Sequence, residues 1–347
     1  MRKRVKKSFY LTLAVILALS VGLIMSPMAS SQAVAKTIKI RMVGTLPIGH
    51  HLTKALKLFA KVAEEKSNNR VKFTLYPAQQ LYNDKDLVNV LPKGAVDAAI
   101  VNGGMWTGKV KSLGLLNFPY YYRDLSAYYN LFKTKAWAIV EKDLETEGNV
   151  KFLSIIEYGA ASPIFKSKAI NSMSDWKGVK IRSYSRYGGI GLQALGASPV
   201  VMSSGDVYMA LQRGTVDAAL SGVSSFVSRK WMEQCKYYLK RDFDTTLSVP
   251  FLLLFNLDSW NKLPTDIQKI LKEAALEAQN YTVDYMETMD AQYRKILQDK
   301  GLIETPVNPA PGEWERWHEK IKPVVEAEYK KQVGAAKASK ILSYLPK

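Results

Sequence analysis

At 347 residues, with 47% hydrophobic and 23% charged residues, the chain is long enough for a large core and too apolar to be a disordered polymer. One cysteine, Cys235, excludes a disulfide framework, and the three histidines, His50, His51 and His318, lack the spacing of a zinc-binding helix. A formal charge of +18 raises nucleic acid as a partner, but the lysines are interleaved with acids, as in LKEAALEAQ and EAEYKKQ, so no basic run with stacked aromatics forms and no nucleic-acid partner is expected.

Residues 1–35, MRKRVKKSFYLTLAVILALSVGLIMSPMASSQAVA, read as a secretory signal peptide. Five basic residues precede an apolar run from Leu11 to Met25, and Ala33-Val34-Ala35 supplies a small-residue cleavage site. The competing reading is an uncleaved anchor, for which the run is short of the roughly 20 residues a span needs. Cleavage near Ala35 predicts a periplasmic (secreted) protein whose formal charge falls from +18 to +13 with the five basic residues removed. The remaining positive field favours anions. Cys235 lies far from the cleavage site, which excludes a lipid anchor there.

Thr37–Gly44 reads as the first strand. Thr53–Glu65 is an amphipathic helix with Leu56, Phe59, Ala60 and Ala63 on one face. A strand over Val71–Tyr76 follows, then a helix over Asp84–Leu91 ended by Pro92 and Gly94, and a strand over Val96–Val101 that runs into the loop Asn102–Trp106. Beyond the aromatic connection Asn117–Tyr122, Ser126–Glu147 reads as helical and Val150–Glu157 as a strand at the first crossing between two lobes. Val179–Ser183, Ser198–Met202 and Thr215–Leu220 are strands separated by helices over Gly189–Leu195 and Asp206–Gln212. Asp206 is placed to cap the second of these helices and Gly214 to end it. A helix around Ser225–Cys235 leads to Val249–Asn256, a strand returning to the first lobe. Thr265 and Gln268 form a capping-box pattern that opens a helix reaching Gly301. At 1.5 Å per residue that helix is roughly 50 Å long, which predicts that it lies across both lobes. Another helix follows Glu313.

The chain repeats itself once. Asp86–Ile100, DLVNVLPKGAVDAAI, aligns without gaps on Asp206–Leu220, DVYMALQRGTVDAAL, and each copy has a Lys-Ile-Arg prelude, at Lys39–Arg41 and at Lys180–Arg182. A single internal echo at this separation implies two lobes on one strand–helix plan, not a solenoid. The division expected is 36–160 with 247–285 for lobe I, and 161–246 with 286–347 for lobe II.

In such α/β units the strand ends open into one crevice, where ligands bind. Arg182, late in its strand, and Ser221, just past another, belong there, and a planar guanidinium in a cleft can take a carboxylate through two bonds. The plainer reading of Arg182 is a structural ion pair. Tyr184, Arg186 and Tyr187 follow Arg182, and Asn102 and Trp106 stand on the opposing loop, which supplies the aromatic walls common in small-molecule sites. Catalytic patterns are lacking: no Gly-x-Ser-x-Gly elbow occurs, and Cys235 has no activating neighbour pattern. Gly189–Ala194 matches a dinucleotide fingerprint only weakly, because it follows Ser-Tyr-Ser-Arg-Tyr instead of a tight strand-to-helix turn.

Several runs in order resemble the DctP-type solute-binding subunit of tripartite ATP-independent periplasmic (TRAP) transporters. They are Tyr76-Pro77-Ala78-Gln79-Gln80-Leu81, Lys93-Gly94-Ala95-Val96-Asp97, Trp176–Arg182, Leu195–Val200, Ala210–Asp217 and Leu263-Pro264-Thr265-Asp266. The resemblance implies a two-lobed α/β periplasmic binding protein fold (type II-like) with a hinge, a long spanning helix, a bound small organic anion and a membrane permease as partner. Arg182 falls on the family's carboxylate-binding arginine. Ala161, Ser204 and Ser221 stand where the family usually has an arginine, an aromatic and an asparagine. Leu220-Ser221 replaces the Glu-Trp pair of metal-using branches. The resemblance therefore implies a roomier, less positive pocket suited to a monocarboxylate with a bulky or aromatic body, unless Arg186 or His50 swings in with a second charge. No metal, cofactor or enzymatic activity is expected, and the protein is expected to be monomeric. The alternative is a periplasmic enzyme acting on a small carboxylate.

Overall fold

Among the described residues, ten strands carry the fold: β1 (Ile38–Gly44), β2 (Val71–Tyr76), β3 (Ala98–Asn102), β4 (Val150–Phe165), β5 (Lys180–Ser183), β6 (Ser198–Val201), β7 (Ala218–Ser221), β8 (Tyr237–Leu239), β9 (Leu247–Asn256) and β10 (Ile303–Thr305). The structure is a computed structural model that describes residues 37–119, 125–239, 247–305 and 313–345. The expected signal peptide and Tyr120–Tyr122 lie outside the described residues. β1 buries Ile40, Met42 and Val43 and runs in parallel between β2 and β3. The helix His51–Lys66 closes the β1–β2 crossover by turning Leu52, Ala55, Leu56, Phe59 and Ala63 inward at three- and four-residue spacing. The second half repeats the plan, with β5 in parallel between β6 and β7.

The halves are joined by β4. Its first part pairs antiparallel with β9, through register shifts at Phe152/Ser154 and Glu157/Ala160, and from Ser162 onward it pairs with β7. The strand expected over Val150–Glu157 therefore continues to Phe165 and passes from one half into the other. The long helix, Thr265–Asp299, has 35 residues, roughly 50 Å. It packs on the helix His51–Lys66 in the first half and on Val223–Ser228 in the second, as its length predicts. The helix Glu313–Val333 lies against Arg186–Ala194 and against Lys111–Asn117. The last helix, Ala335–Ser343, rests on Lys135–Thr146, where Lys337 pairs with Asp143 at 2.6 Å. Of the tail, β10 pairs with β8 in the second half, while the last helix rests on the first half. The described residues from Ile38 onward form one compact unit.

The internal repeat has a structural basis. Gly94 and Gly214 both have φ of +72°, a left-handed turn that a side chain would strain. Three residues on, Asp97 Oδ2 accepts from Arg41 N at 2.8 Å and Asp217 Oδ2 accepts from Lys180 N at 3.3 Å. The prelude, however, is displaced by two residues. Ala98 faces Met42 and Ala218 faces Ile181, so Arg182 corresponds to Val43 and not to Arg41. A shift of two preserves the in–out alternation of a strand, so hydrophobic pattern does not reveal it.

Four local expectations are corrected. Ser126–Glu147 is two helices, Leu125–Leu131 and Lys135–Thr146, because Thr134 Oγ1 caps the second by accepting from Trp137 N. Ser225–Cys235 is broken at Lys230, whose φ is +60°, into Val223–Ser228 and a 3₁₀ turn, Trp231–Gln234. Asp206 has helical dihedrals and makes no side-chain cap. The capping box at Thr265 does not form: Gln268 Nε2 instead donates to the carbonyls of Trp260 and Leu263, tying down the preceding turn.

Candidate ligand-binding site

The C-terminal ends of β5, β6 and β7 converge on Arg182. Its guanidinium donates from Nε to Met202 O (3.1 Å), just past β6, and from Nη1 to Leu220 O (2.8 Å) on β7. It also stands 5.7 Å from the centre of the Trp231 ring. Anchored by both neighbouring strands, the plane of the fork is fixed before any ligand arrives. Arg182 is only 1% exposed and forms no ion pair among the described residues, and Nη2 takes no protein acceptor there. Burial pulls its pKa down to about 10, against the opposing pull of the Asp84 charge, so the group stays cationic at neutral pH. The structural ion pair that was the plainer reading is absent among the described residues.

Polar bonds cross the cleft. Asp84 begins the helix Asp84–Val90 in the first half. Its Oδ1 accepts from Thr45 Oγ1 (2.6 Å), while Oδ2 accepts from Ser204 Oγ (3.0 Å) and Ser203 Oγ (3.3 Å) in the second half. In return, Arg229 of the second half donates from Nη2 to Thr45 O at 2.7 Å. His50 Nδ1 accepts from Leu52 N, which leaves its Nε2–H to donate to Ser224 Oγ across the cleft at 3.1 Å. Tyr158, on β4 between the halves, hydrogen-bonds Ser221 Oγ (2.9 Å) and Ser225 Oγ, with its ring stacked on His50 and Phe251.

The residues singled out in the sequence divide by position. Tyr184 is buried next to Arg182 and couples to its charge. Ser221 adjoins the Leu220 carbonyl that holds Arg182 and bonds Tyr158; Ser204 is engaged with Asp84. Ala161 lies on β4 opposite Leu247. Asn102 accepts from Gly104 N at 2.9 Å and so caps the 3₁₀ turn Gly103–Gly108, which buries Trp106 with its indole N–H unpaired among the described residues. Tyr187 is drawn off into packing: its ring fills the space beside Gly114 and stacks edge-on with Phe118 and Tyr329. Neither candidate for the second charge serves. Arg186 is exposed and paired with Glu328 at 2.6 Å, and His50 is held neutral by burial, with the charges of His51 and Arg229 adding to the effect.

Sequence reading missed Asp84, Arg229, Tyr158 and Asn117. The buried Asn117 amide has neither its nitrogen nor its oxygen satisfied among the described residues. It stands with Asn102 and Ser185 around Gly104, where the first half's loop meets the second half. A buried amide without partners costs about 1–3 kcal/mol. Such groups persist where a ligand or water completes them.

The family model for bacterial extracellular solute-binding protein, family 7 (DctP) matches residues 42–332. The chain belongs to that family. It is 27% identical over 287 residues to the C4-dicarboxylate-binding periplasmic protein DctP of Rhodobacter capsulatus, covering 80% of this chain and 82% of that one. It is 23% identical to the sialic acid-binding periplasmic protein SiaP of Vibrio cholerae, covering 90% and 94%. In fold it is similar to a TRAP periplasmic solute binding protein from Desulfovibrio salexigens with bound orotic acid, at a TM-score of 0.82 and 21% identity, covering 88% and 97%. The two-lobed α/β fold expected from the sequence is therefore that of TRAP solute-binding proteins.

In this DctP-family protein the free Cys235 thiol is partly buried. Burial raises the Cys235 thiol to about 12, far from the thiolate a nucleophile needs. Among the described residues no group of three or more His, Cys, Asp or Glu could hold a metal, and no helix is long and apolar enough to cross a membrane.

Proposed function

We propose that this protein, exported and cleaved near Ala35, captures an organic acid between its halves and delivers it to a TRAP membrane permease. The observation that carries this reading is Arg182: a buried guanidinium, fixed by two backbone carbonyls, with no carboxylate partner among the described residues. Removing a charge from water costs several kcal/mol unless it is paired, and a ligand carboxylate is the natural complement. Because ligand would touch both halves only when they meet, binding and closure are one equilibrium. The relatives support the class, since dicarboxylate, sialic acid and orotic acid all carry a carboxylate.

Within that class the ligand is a monocarboxylate with a bulky or aromatic body. Ala161 and Ser221 are small side chains, and Tyr158 and Tyr184 place aromatic rings near the Arg182 charge. A thermal-shift screen of organic acids tests this, joined to mass spectrometry of acid that co-purifies with the protein. Bulky monocarboxylates should raise Tm and be recovered unchanged. Stabilisation only by compact dicarboxylates would overturn the ligand class, and conversion of a bound acid by the purified protein would overturn the binding role in favour of an enzyme.

A further inference from the structure

A second guanidinium and a carboxylate share the cleft with Arg182. Arg229 leaves the end of the helix Val223–Ser228 and reaches across to Thr45 O, so it comes into place only when the halves meet. Its Nε is buried with no partner, and it forms no ion pair among the described residues. Asp84 lies between the two arginines without pairing directly with either. Thr45 joins it to Arg229, giving its hydroxyl to Asp84 and its carbonyl to Arg229. The segment Met202–Ser204 joins it to Arg182, giving a carbonyl to Arg182 and two hydroxyls to Asp84. Among the described carboxylates, Asp84 is the one whose charge supports the protonated form of both arginines against their burial. Glu157, also buried, is turned to its own loop, where Oε1 accepts from Gly159 N. The two nearby histidines are neutral. Among the described residues these two cations and one anion leave a single uncompensated positive charge, with Arg182 Nη2 and Arg229 Nε taking no protein acceptor.

We propose that Arg229 is a second ligand-gripping cation and that Asp84 is a built-in counter-anion that confines the cleft to singly charged acids. The inference rests on the binding reading above and assigns that site its charge rule. Asp84 takes the place of a second ligand carboxylate: its oxygens already occupy the Ser203 and Ser204 hydroxyls of the second half, and its charge repels another anion. Discrimination then comes from a group that excludes the wrong ligand as much as from one that holds the right one.

Isothermal titration calorimetry on the full mature chain tests this with charge-matched probes: benzoate against terephthalate, and D-glucuronate against D-glucarate. Wild type should bind the monoanion of a pair at least about tenfold tighter than the dianion, since one like charge in a cleft of reduced dielectric is worth that much. Asp84→Asn, which keeps the shape and one acceptor, should erase or invert that ratio. Arg229→Gln should weaken the monoanion about tenfold or more. The double variant Asp84→Asn/Arg229→Gln restores a single positive charge, and with it the preference for monoanions. A merely structural role for either residue would change stability and leave the mono-to-dianion ratio unmoved, so an unchanged ratio in Asp84→Asn overturns the proposal, as does a wild type that prefers dianions. If wild type binds no organic acid in this set or in the thermal screen, the binding reading itself fails and this inference falls with it. Should Asp84→Asn not fold, Arg229→Gln decides: unchanged affinity for the bound monoanion refutes the grip.

Discussion

Arg182→Ala is expected to weaken organic-acid binding by at least about thirtyfold, and in practice to abolish it at ordinary protein concentrations. Truncating one partner of a buried, hydrogen-bonded charge pair costs about 2–5 kcal/mol, and each 1.4 kcal/mol is a factor of ten in affinity. Arg182→Lys should recover little. An ammonium group cannot hold Met202 O and Leu220 O and still present a planar fork to a carboxylate. Circular dichroism should show both variants folded, although Arg182→Ala leaves those two carbonyls without their donor and should lose some thermal stability. Calorimetric affinity near wild type in either variant would remove Arg182 from the site.

Acid should unfold this protein steeply, and two adjacent histidines supply the reason. His50 and His51 are buried and stacked with ring centres 4.2 Å apart. Burial holds the His51 pKa down at about 3, and burial together with the charges of His51 and Arg229 holds His50 well below 6.5. A proton on His50 Nδ1 would meet the Leu52 N–H that this nitrogen accepts, and one on His51 Nδ1 would have no acceptor among the described residues. Both groups therefore titrate lower folded than unfolded, and the unfolded chain binds more protons below pH 6.5. The stability they contribute is complete above that value and is lost as pH falls, by about 1.4 kcal/mol per pH unit for each histidine, down to about 3 for His51. Urea unfolding at pH 7, 6 and 5 should show that slope, and His50→Asn/His51→Gln should flatten it. Asn can still cap the helix at position 50. An equal slope in the double variant would assign acid lability to other groups.

The repeated Asp-to-Ala-Ala segments, the glycines at 94 and 214, the long helix opened after Leu263-Pro264 and the arginine at a strand end all rest on local chemistry. The sequence alone determined them. Turn glycines, strand alternation and helical spacing are properties of a few adjacent residues, and they do not depend on what lies across the molecule. It also pointed to the family, through runs such as Trp176–Arg182 and Ala210–Asp217. Helix breaks were harder to read, because Thr134 and Lys230 act through a single hydroxyl bond and a single left-handed residue that composition does not mark.

The charge rule of the cleft was decided only by tertiary structure. Asp84 reads as a helix start and Arg229 as one position within the helix expected around Ser225–Cys235; nothing local distinguishes them from other acids and bases. Far apart in the chain, they meet through Thr45 only because β4 and the long helix bring the two halves together. The same folding carried Tyr187 away from the cleft to Phe118 and Tyr329, and Arg186 out to Glu328, although both sit within five residues of Arg182. Once Ser185 caps a helix beginning at Arg186, successive side chains point about 100° apart, and neighbours in sequence face different partners. Position in the chain fixes which element a residue belongs to; the direction in which that element's faces are buried decides whether its side chain reaches the ligand.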